Sequence, residues 1–368
     1  MEIWENNEVE IKKLKDWPKV AIIILNWNGW QDTIECLESV FRIDYPNYQV
    51  IVVDNGSTDD SIEKIKAWAR GEILVESKFF AYNSENKPIE LVELKREDID
   101  FYSKRASEEN YKRSVVIILN GENLGFAKGN NVGINYAIKN GSDYVMLLNN
   151  DTVIYQQSFL DEMINFMEEK KEIGVSVPCI YYYDQPNKIW NCGGKLLPFG
   201  WRKYFTSEKI RNSKRKYLSI SFATGCALLI RRDILEKYGV LSEDFFFGEE
   251  DYEFSIRMKK NKVKMACVLN AELYHKLSSS VSKLSDEKLK LAFIHHLNRL
   301  VHLKRYYPKI LWKLYRVYAL LYIFLMLRLR YNVSYKDVFR YVIKLIRYSN
   351  NLSKVDKQTF DRLLDRGG

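Results

Sequence analysis

Cysteine is scarce in this 368-residue chain: Cys36, Cys179, Cys192, Cys226 and Cys267 are an odd set at wide spacings, without a CxxC pair. That argues against a disulfide framework and against a zinc site, and it fits a reducing cytosol. Histidine is rarer still, with His275 standing apart from His295, His296 and His302. The N-terminal MEIWENNEVE is acidic and polar, so no secretory signal is expected. The apolar run Val317 to Leu327 has eleven residues, short of the roughly 20 that span a bilayer. Acidic residues are missing altogether between Lys288 and Lys336, where there are eleven Lys or Arg. No repeat or low-complexity stretch occurs. No nucleic-acid-binding motif accompanies the net charge of +9, so nucleic acid is not an expected partner.

What is present reads as a soluble globular chain large enough for an extensive core. Four apolar, β-branched runs stand out: VAIIILN (20–26), QVIVVDN (49–55), SVVIILN (114–120) and DYVMLLN (143–149). None alternates with polar residues, as expected of parallel strands covered on both faces. Between the first two, Trp30, Ile34, Leu37 and Phe41 share one helical face. Further helices are predicted over Asn131 to Lys139 and Ser158 to Lys170, the latter with Ser158 as N-cap. The fold class is therefore α/β, a mostly parallel sheet flanked by helices. All four runs end on Asn, and Asp54 precedes the second. Ligands of open α/β sheets bind beyond the carboxyl ends of the strands, so a shared polar cleft is expected there.

Residues 75–113 are highly charged and interrupt the pattern; a surface insertion with a hairpin is expected. Strands follow at 173–183, 223–231 and 263–270, and a short helix at Asp233 to Tyr238. From about Lys283 the chain turns helical and basic. Its aromatic, apolar WKLYRVYALLYIFLMLRLR suits an anionic membrane surface. The plainer alternative is a helix packed on the main domain with a solvated basic face.

Several residues are equipped for chemistry. Asp151, in LLNNDT, is a lone carboxylate at a strand end; Mg²⁺ is held by one or two carboxylates plus substrate phosphates, although an Asp there also caps turns. Glu249, Glu250 and Asp251 follow three phenylalanines and Gly248. Crowding with aromatics raises a carboxyl toward a useful general base, whereas a plain helix start also favours acids. His275 after a strand is either structural or, facing Asp151, a metal ligand. NLGFAKGNNVGI (123–134) combines glycines with a helix start and offers Lys128 to a diphosphate, a weak signal alone.

In this order, IILNWNG (23–29), VVDNGSTDDS (52–61), NLGFAKGNN (123–131), LLNNDT (147–152), TGCALLIRR (224–232), FFFGEEDYEFSIR (245–257) and YHKLSSS (274–280) resemble the inverting family 2 glycosyltransferases of GT-A fold. The likeness is to the rhamnosyltransferase-type branch that builds cell-surface polysaccharides, over about residues 18 to 280. The resemblance implies a Mg²⁺- or Mn²⁺-dependent transfer from a nucleotide-diphosphate sugar to a hydroxyl of a glycan or lipid-linked acceptor. It implies that Leu25 and Asn26 line the nucleotide pocket and that Asp54 accepts the base imide N–H. Asn123, Gly125 and Lys128 would border ribose and diphosphate, and Asn149, Asn150 and Asp151 would fill the DXD position, with Asp151 on the metal. Asp251, with Glu250, would be the catalytic base, His275 would complete the metal site, and Thr224 and Gly225 would lie near sugar and acceptor. Asn149 departs from the motif's first Asp, removing one negative charge.

The expected organisation is an N-terminal extension (1–17), a GT-A domain (18–282) and a basic helical region (283–368) on the inner face of the cell membrane. Two rivals remain. A sugar nucleotidyltransferase would need a basic Gly-rich signature that VAIIILNWNGW lacks, and a degenerate scaffold would have lost Asp151 or Asp251.

Overall fold

A computed structural model describes residues 17–100, 114–210, 213–277 and 286–365. The four apolar runs form strands. The first half runs β1 (Val20–Asn26), α1 (Trp30–Val40), β2 (Tyr48–Asp54), α2 (Ser61–Arg70), β3 (Leu91–Lys95), β4 (Val115–Leu119), α3 (Phe126–Lys139), β5 (Tyr144–Asn149), β6 (Thr152–Val153) and α4 (Phe159–Glu169). There follow β7 (Ile173–Tyr182), β8 (Ile189–Asn191), β9 (Gly194–Leu196), β10 (Arg202–Tyr204), β11 (Tyr217–Ile220), β12 (Ala227–Arg231), α5 (Arg232–Tyr238), α6 (Glu250–Lys260) and β13 (Lys264–His275). Four helices close the chain: α7 (Asp286–Tyr306), α8 (Lys309–Leu325), α9 (Tyr335–Asn351) and α10 (Lys357–Asp365).

The main sheet has the order β11-β13-β7-β12-β5-β1-β2-β4-β3, parallel from β5 through β1, β2 and β4 to β3. Strand β12 enters antiparallel between β5 and β7. Strand side chains alternate between faces. Val20, Ile22 and Ile24 therefore join one core layer with Ile34, Leu37 and Trp68. Ala21 and Ile23 join the opposite layer with Ile134, Phe254 and Met258. Both faces are covered, which is why these strands show no polar alternation.

The helix predicted from Asn131 begins five residues earlier, at Phe126. Gly129 and Gly133 disfavour a helix by propensity, but here they let it lie against the sheet. A Cβ at Gly129 would come within 2.7 Å of Leu25 Cδ1, and one at Gly133 within 2.7 Å of Ile23 Cγ2. Ser158 occupies the N-cap of α4 without capping it; its hydroxyl accepts from Gln156 Nε2 at 3.2 Å.

Among the described residues of the 75–113 segment, the strand is a parallel edge strand, β3, paired Leu91 to Val115, and not part of a hairpin. Lys87 ties the segment to the core through a 2.8 Å ion pair with the buried Glu38. Residues 101–113 lie outside the described residues, as do 1–16 and Ser278 to Ser280. The strand expected at 263–270 runs on to His275, because β6 pairs with its end: Thr152 lies opposite His275. All five cysteines are buried free thiols.

The closing helices pack on the sheet domain through a third cluster, in which Phe222, Phe245 and Tyr252 meet Leu297, Leu300, Trp312, Tyr315 and Leu345. Helix α8 continues through a π turn to Arg330, giving 22 residues. By length and composition this helix is able to cross a membrane, which corrects the estimate from the eleven-residue run. Its inner side is buried, while Leu314, Val317, Tyr318, Leu321, Tyr322, Leu325 and Leu329 are exposed.

Candidate active site

The polar strand ends turn largely on one another. Asn26 is fully buried: its amide donates to Asp54 Oδ1 (3.0 Å) and Ser57 Oγ (3.1 Å), and Thr33 Oγ1 donates to its carbonyl (2.8 Å). Expected to line the nucleotide pocket, its side chain instead braces Asp54. Asp54 also receives Ser57 Oγ (2.5 Å) on Oδ1 and the Ser57 N–H (3.0 Å) on Oδ2. Most of its acceptor capacity thus folds the 55–58 turn. Asn55 takes donors from Asn120 Nδ2 and Leu124 N–H, both at 3.1 Å, and its own amide reaches Asn123 Oδ1 (3.0 Å) and Gly125 O (3.2 Å). Three strand ends are thereby hydrogen-bonded internally, as buried polar groups usually are, with only Asn120 Oδ1 among these side-chain atoms lacking a partner among the described residues.

The Gly-rich loop is a brace as well. Gly125 sits at φ +81°, and a Cβ there would lie 2.4 Å from Phe246 O. Asn131 Nδ2 donates to Leu241 O and Glu243 Oε1, both at 2.9 Å. The loop therefore packs on the segment before the acidic motif. Lys128 is exposed, on the first turn of α3.

The fourth strand end is different. Leu25, Phe126, Asn130, Asn149, Asn150 and Asp151 line a hollow of about 160 Å³. Ligand pockets typically start near 300 Å³, so this hollow takes one chemical group rather than a whole sugar nucleotide. Asn150 turns back to α1, donating to Thr33 Oγ1 at 3.0 Å. Asp151 remains, with His275 Nε2 at 3.1 Å from its Oδ1. That contact lacks hydrogen-bond geometry: Asp151 Oδ1 and His275 Nδ1 are both buried atoms without a hydrogen-bond partner among the described residues. Neighbouring ligands at about 2.1 Å from one octahedral cation lie roughly 3 Å apart, so the pair fits a shared divalent ion. Among the described residues no third His, Cys, Asp or Glu joins them. A diphosphate would have to complete the coordination. Next door, Lys276 pairs with Asp32 at 2.6 Å and with Glu35.

Thr224 and Gly225 precede Cys226, which is tied to this strand end. Asn149 N–H donates to Cys226 O at 2.8 Å, joining the two segments. Thr224 is buried, and its hydroxyl accepts from Cys226 N–H at 3.5 Å. Gly225 adjoins the second acidic motif. A Cβ there would stand 3.6 Å from Asp251 Cβ and 3.7 Å from the Phe126 ring. Phe126 also lines the Asp151 hollow, so Gly225 stands between that ring and Asp251.

The three crowded carboxylates have three environments. Burial alone would raise Glu249, but Arg299 and His302 hold it down at about 2. Burial, then the charge of Asp251, pushes Glu250 up to about 8. Burial also raises Asp251, against the opposing pull of Arg202. Arg202 lies 3.8 Å from Asp251 Oδ1, its guanidinium 5.0 Å from the rings of Tyr204 and Phe222. A protonated Glu250 beside an ionised Asp251 is a division of labour suited to general-base chemistry. Sequence reasoning missed Arg202, Arg299 and His302, because nothing local marks residues that reach the motif from about 50 positions away.

A model of glycosyl transferase family 2 matches residues 21–87 and 97–239, more than half of the chain. The acidic motif and His275 lie past the matched segments. No curated protein matches. Among solved structures, the mannosyltransferase PcManGT from Pyrobaculum calidifontis, in complex with GDP-Man and Mn²⁺, is 13% identical with a TM-score of 0.49, over 95% of this chain and 79% of its own. TarS 1-349 of S. aureus is 14% identical at 0.48, over 94% and 83%. GalNAc-T7, with UDP, GalNAc and Mn²⁺, is 14% identical at 0.48, over 83% of this chain and 55% of its own. Likeness at this distance carries no site chemistry across.

Proposed function

Because this chain belongs to glycosyl transferase family 2, and so is a nucleotide-sugar transferase of GT-A fold, we propose that it transfers the sugar with inversion, in one displacement at the anomeric carbon. The acceptor is a hydroxyl of a glycan or lipid-linked saccharide, and the seven motif strings favour the rhamnosyltransferase-like branch. The observation that carries the reading is the contact of Asp251 with Gly225 beside the hollow of Asp151.

Asp251 takes the proton of the acceptor hydroxyl as that oxygen attacks, and Glu250, kept protonated, leaves Asp251 as the ionised partner. Asp151 and His275 would hold Mg²⁺ or Mn²⁺, which when bound offsets the charge of the leaving diphosphate. Leu25 and Asn149 face the hollow and bound the donor. Asn26, Asp54 and Asn123 brace the neighbouring turns, with Lys128 exposed to meet the phosphates.

The acceptor side runs toward α8. Trp201, beside Arg202, packs edge-on against Tyr322 with ring centroids 5.4 Å apart. The exposed apolar residues of α8 continue onto α9 in Tyr335, Phe339 and Ile343, with Lys336 and Arg340 exposed beside them. An apolar face edged by cations suits an anionic membrane surface. This supports a peripheral, cytoplasmic-face location near a lipid-linked acceptor.

The test is a panel of nucleotide sugars, UDP-hexoses and dTDP-rhamnose among them, scored by melting temperature and hydrolysis with and without Mn²⁺. A true donor with Mn²⁺ raises the melting temperature by mass action. A nucleotidyltransferase would instead turn over nucleoside triphosphate and sugar phosphate, and a scaffold would respond to none of the panel.

A further inference from the structure

Glu249 performs no chemistry in the proposed reaction, yet it is the most firmly held of the three acids. It is buried, and its backbone stands at φ +80°, a conformation that L side chains rarely adopt. Its carboxylate meets Arg299 Nε at 2.6 Å and His302 Nδ1 at 2.8 Å. Arg299 also donates to Gly200 O at 2.9 Å and lies 3.5 Å from the Tyr252 ring centroid. On the same helix, Asn298 Nδ2 donates to Phe247 O at 2.9 Å, and a Cβ at Gly248 would meet the His295 ring at 2.7 Å. Residues 295, 298, 299 and 302 have the i, i+3, i+4, i+7 spacing of one helix face. That face of α7 grips Phe247, Gly248 and Glu249, the three residues that lead into Glu250 and Asp251.

We infer that α7 is the positioning element of the acidic pair, with Arg299 as the positioning residue that fixes Glu249 in its left-handed conformation and so sets where Asp251 stands. The inference rests on the reading of Asp251 as the base. It also assigns the helical region, which lies outside the matched family segments, a part in the reaction. The charged groups facing Asp251 are Arg202 from β10, Arg299 from α7, and Glu249 and Glu250 on its own segment; Tyr204 faces it as well. Arg299 pulls the Asp251 carboxyl down, and Glu249 pushes it up.

The experiment uses the full chain with Mn²⁺ and whichever of UDP-glucose and dTDP-rhamnose the wild type hydrolyses. It measures kcat, donor KM, the pH profile and the melting temperature for Arg299→Gln, Arg299→Lys and Glu249→Gln. Displacement of a catalytic group by about 1 Å costs on the order of 10²-fold. Arg299→Gln is therefore expected to lose about that much kcat with donor KM within twofold, its acidic limb moving to higher pH. Arg299→Lys keeps the charge, so its limb stays near the wild-type position and part of the rate returns. Glu249→Gln moves the limb the opposite way, to lower pH, and decides the matter if Arg299→Gln does not fold. Folded variants with wild-type kcat and an unmoved limb overturn the inference, as does a rate loss matched by a rise in donor KM. Full activity in Asp251→Asn would overturn the underlying base assignment instead.

Discussion

Gly125 couples the Gly-rich loop to the acidic motif, and replacing it by Ala tests that coupling. At φ +81° and ψ 176° its backbone lies in a region reserved almost wholly for glycine. The new Cβ would also stand 2.4 Å from Phe246 O and 2.8 Å from its ring. A backbone oxygen cannot rotate away, so the loop or the 245–248 segment must move. Conformational strain of about 1–3 kcal/mol and overpacking of about 1–3 kcal/mol together give a loss of roughly 2–6 kcal/mol. Gly141→Ala is the control: it has φ +72° but nothing within 4 Å of the added Cβ, leaving only strain, about 1–3 kcal/mol. Urea unfolding measures both, and the folded fraction of Gly125→Ala is assayed for turnover, which should fall because Phe246 lies four residues before Glu250. If Gly125→Ala is no less stable than Gly141→Ala, the proposed contact between loop and acidic segment is wrong.

Other expectations follow from the same site. With burial raising both Glu250 and Asp251, kcat should fall as pH drops, with its acidic limb above the ordinary carboxylate range; a limb near pH 4 would contradict this. Glu249 is depressed from 4.5 to about 2, so its stabilisation, of about 3 kcal/mol by linkage, is present above pH 4.5 and lost as pH falls toward 2. Urea titrations should show a flatter pH dependence for Glu249→Gln, and an unchanged slope would remove the ion pair from the account. Asp151→Asn and His275→Ala should abolish the Mn²⁺-dependent part of the melting shift seen with UDP; a shift of wild-type size would move the metal elsewhere. Val317→Asp with Leu321→Asp, both well exposed, should weaken flotation with anionic liposomes and leave donor binding intact. Equal flotation would exclude that face.

The fold was legible where one residue type decides the outcome. Buried parallel strands announce themselves, and β1 spans the residues of VAIIILN. Of the face read from spacing, Ile34 and Leu37 on α1 and Phe41 at its C-cap are buried, while Trp30 is half-buried. Legibility failed where tertiary contact overrides local preference. Gly129 and Gly133 suggested a phosphate loop, but their use is to bring α3 onto Ile23 and Leu25. The four asparagine strand ends suggested one ligand cleft, yet Asn26, Asn55 and Asn120 bond to residues inside the fold, leaving Asn149 with Asp151 at the hollow. LVELK in β3 is short and half-polar because it forms a sheet edge. For α8, Lys313 and Arg316 interrupt the apolar run without interrupting the helix. The carboxylates of the site were visible as motifs; the cations that tune them were not, since Arg202 and Arg299 arrive from separate elements.

The most direct measurement is single-turnover transfer by Asp251→Asn, followed by NMR of the product's anomeric centre in the wild type. The expected result is a rate lower by about 10²–10⁴, unchanged donor affinity, and an inverted anomeric configuration. Undiminished transfer by the variant, or retention of configuration, would contradict it.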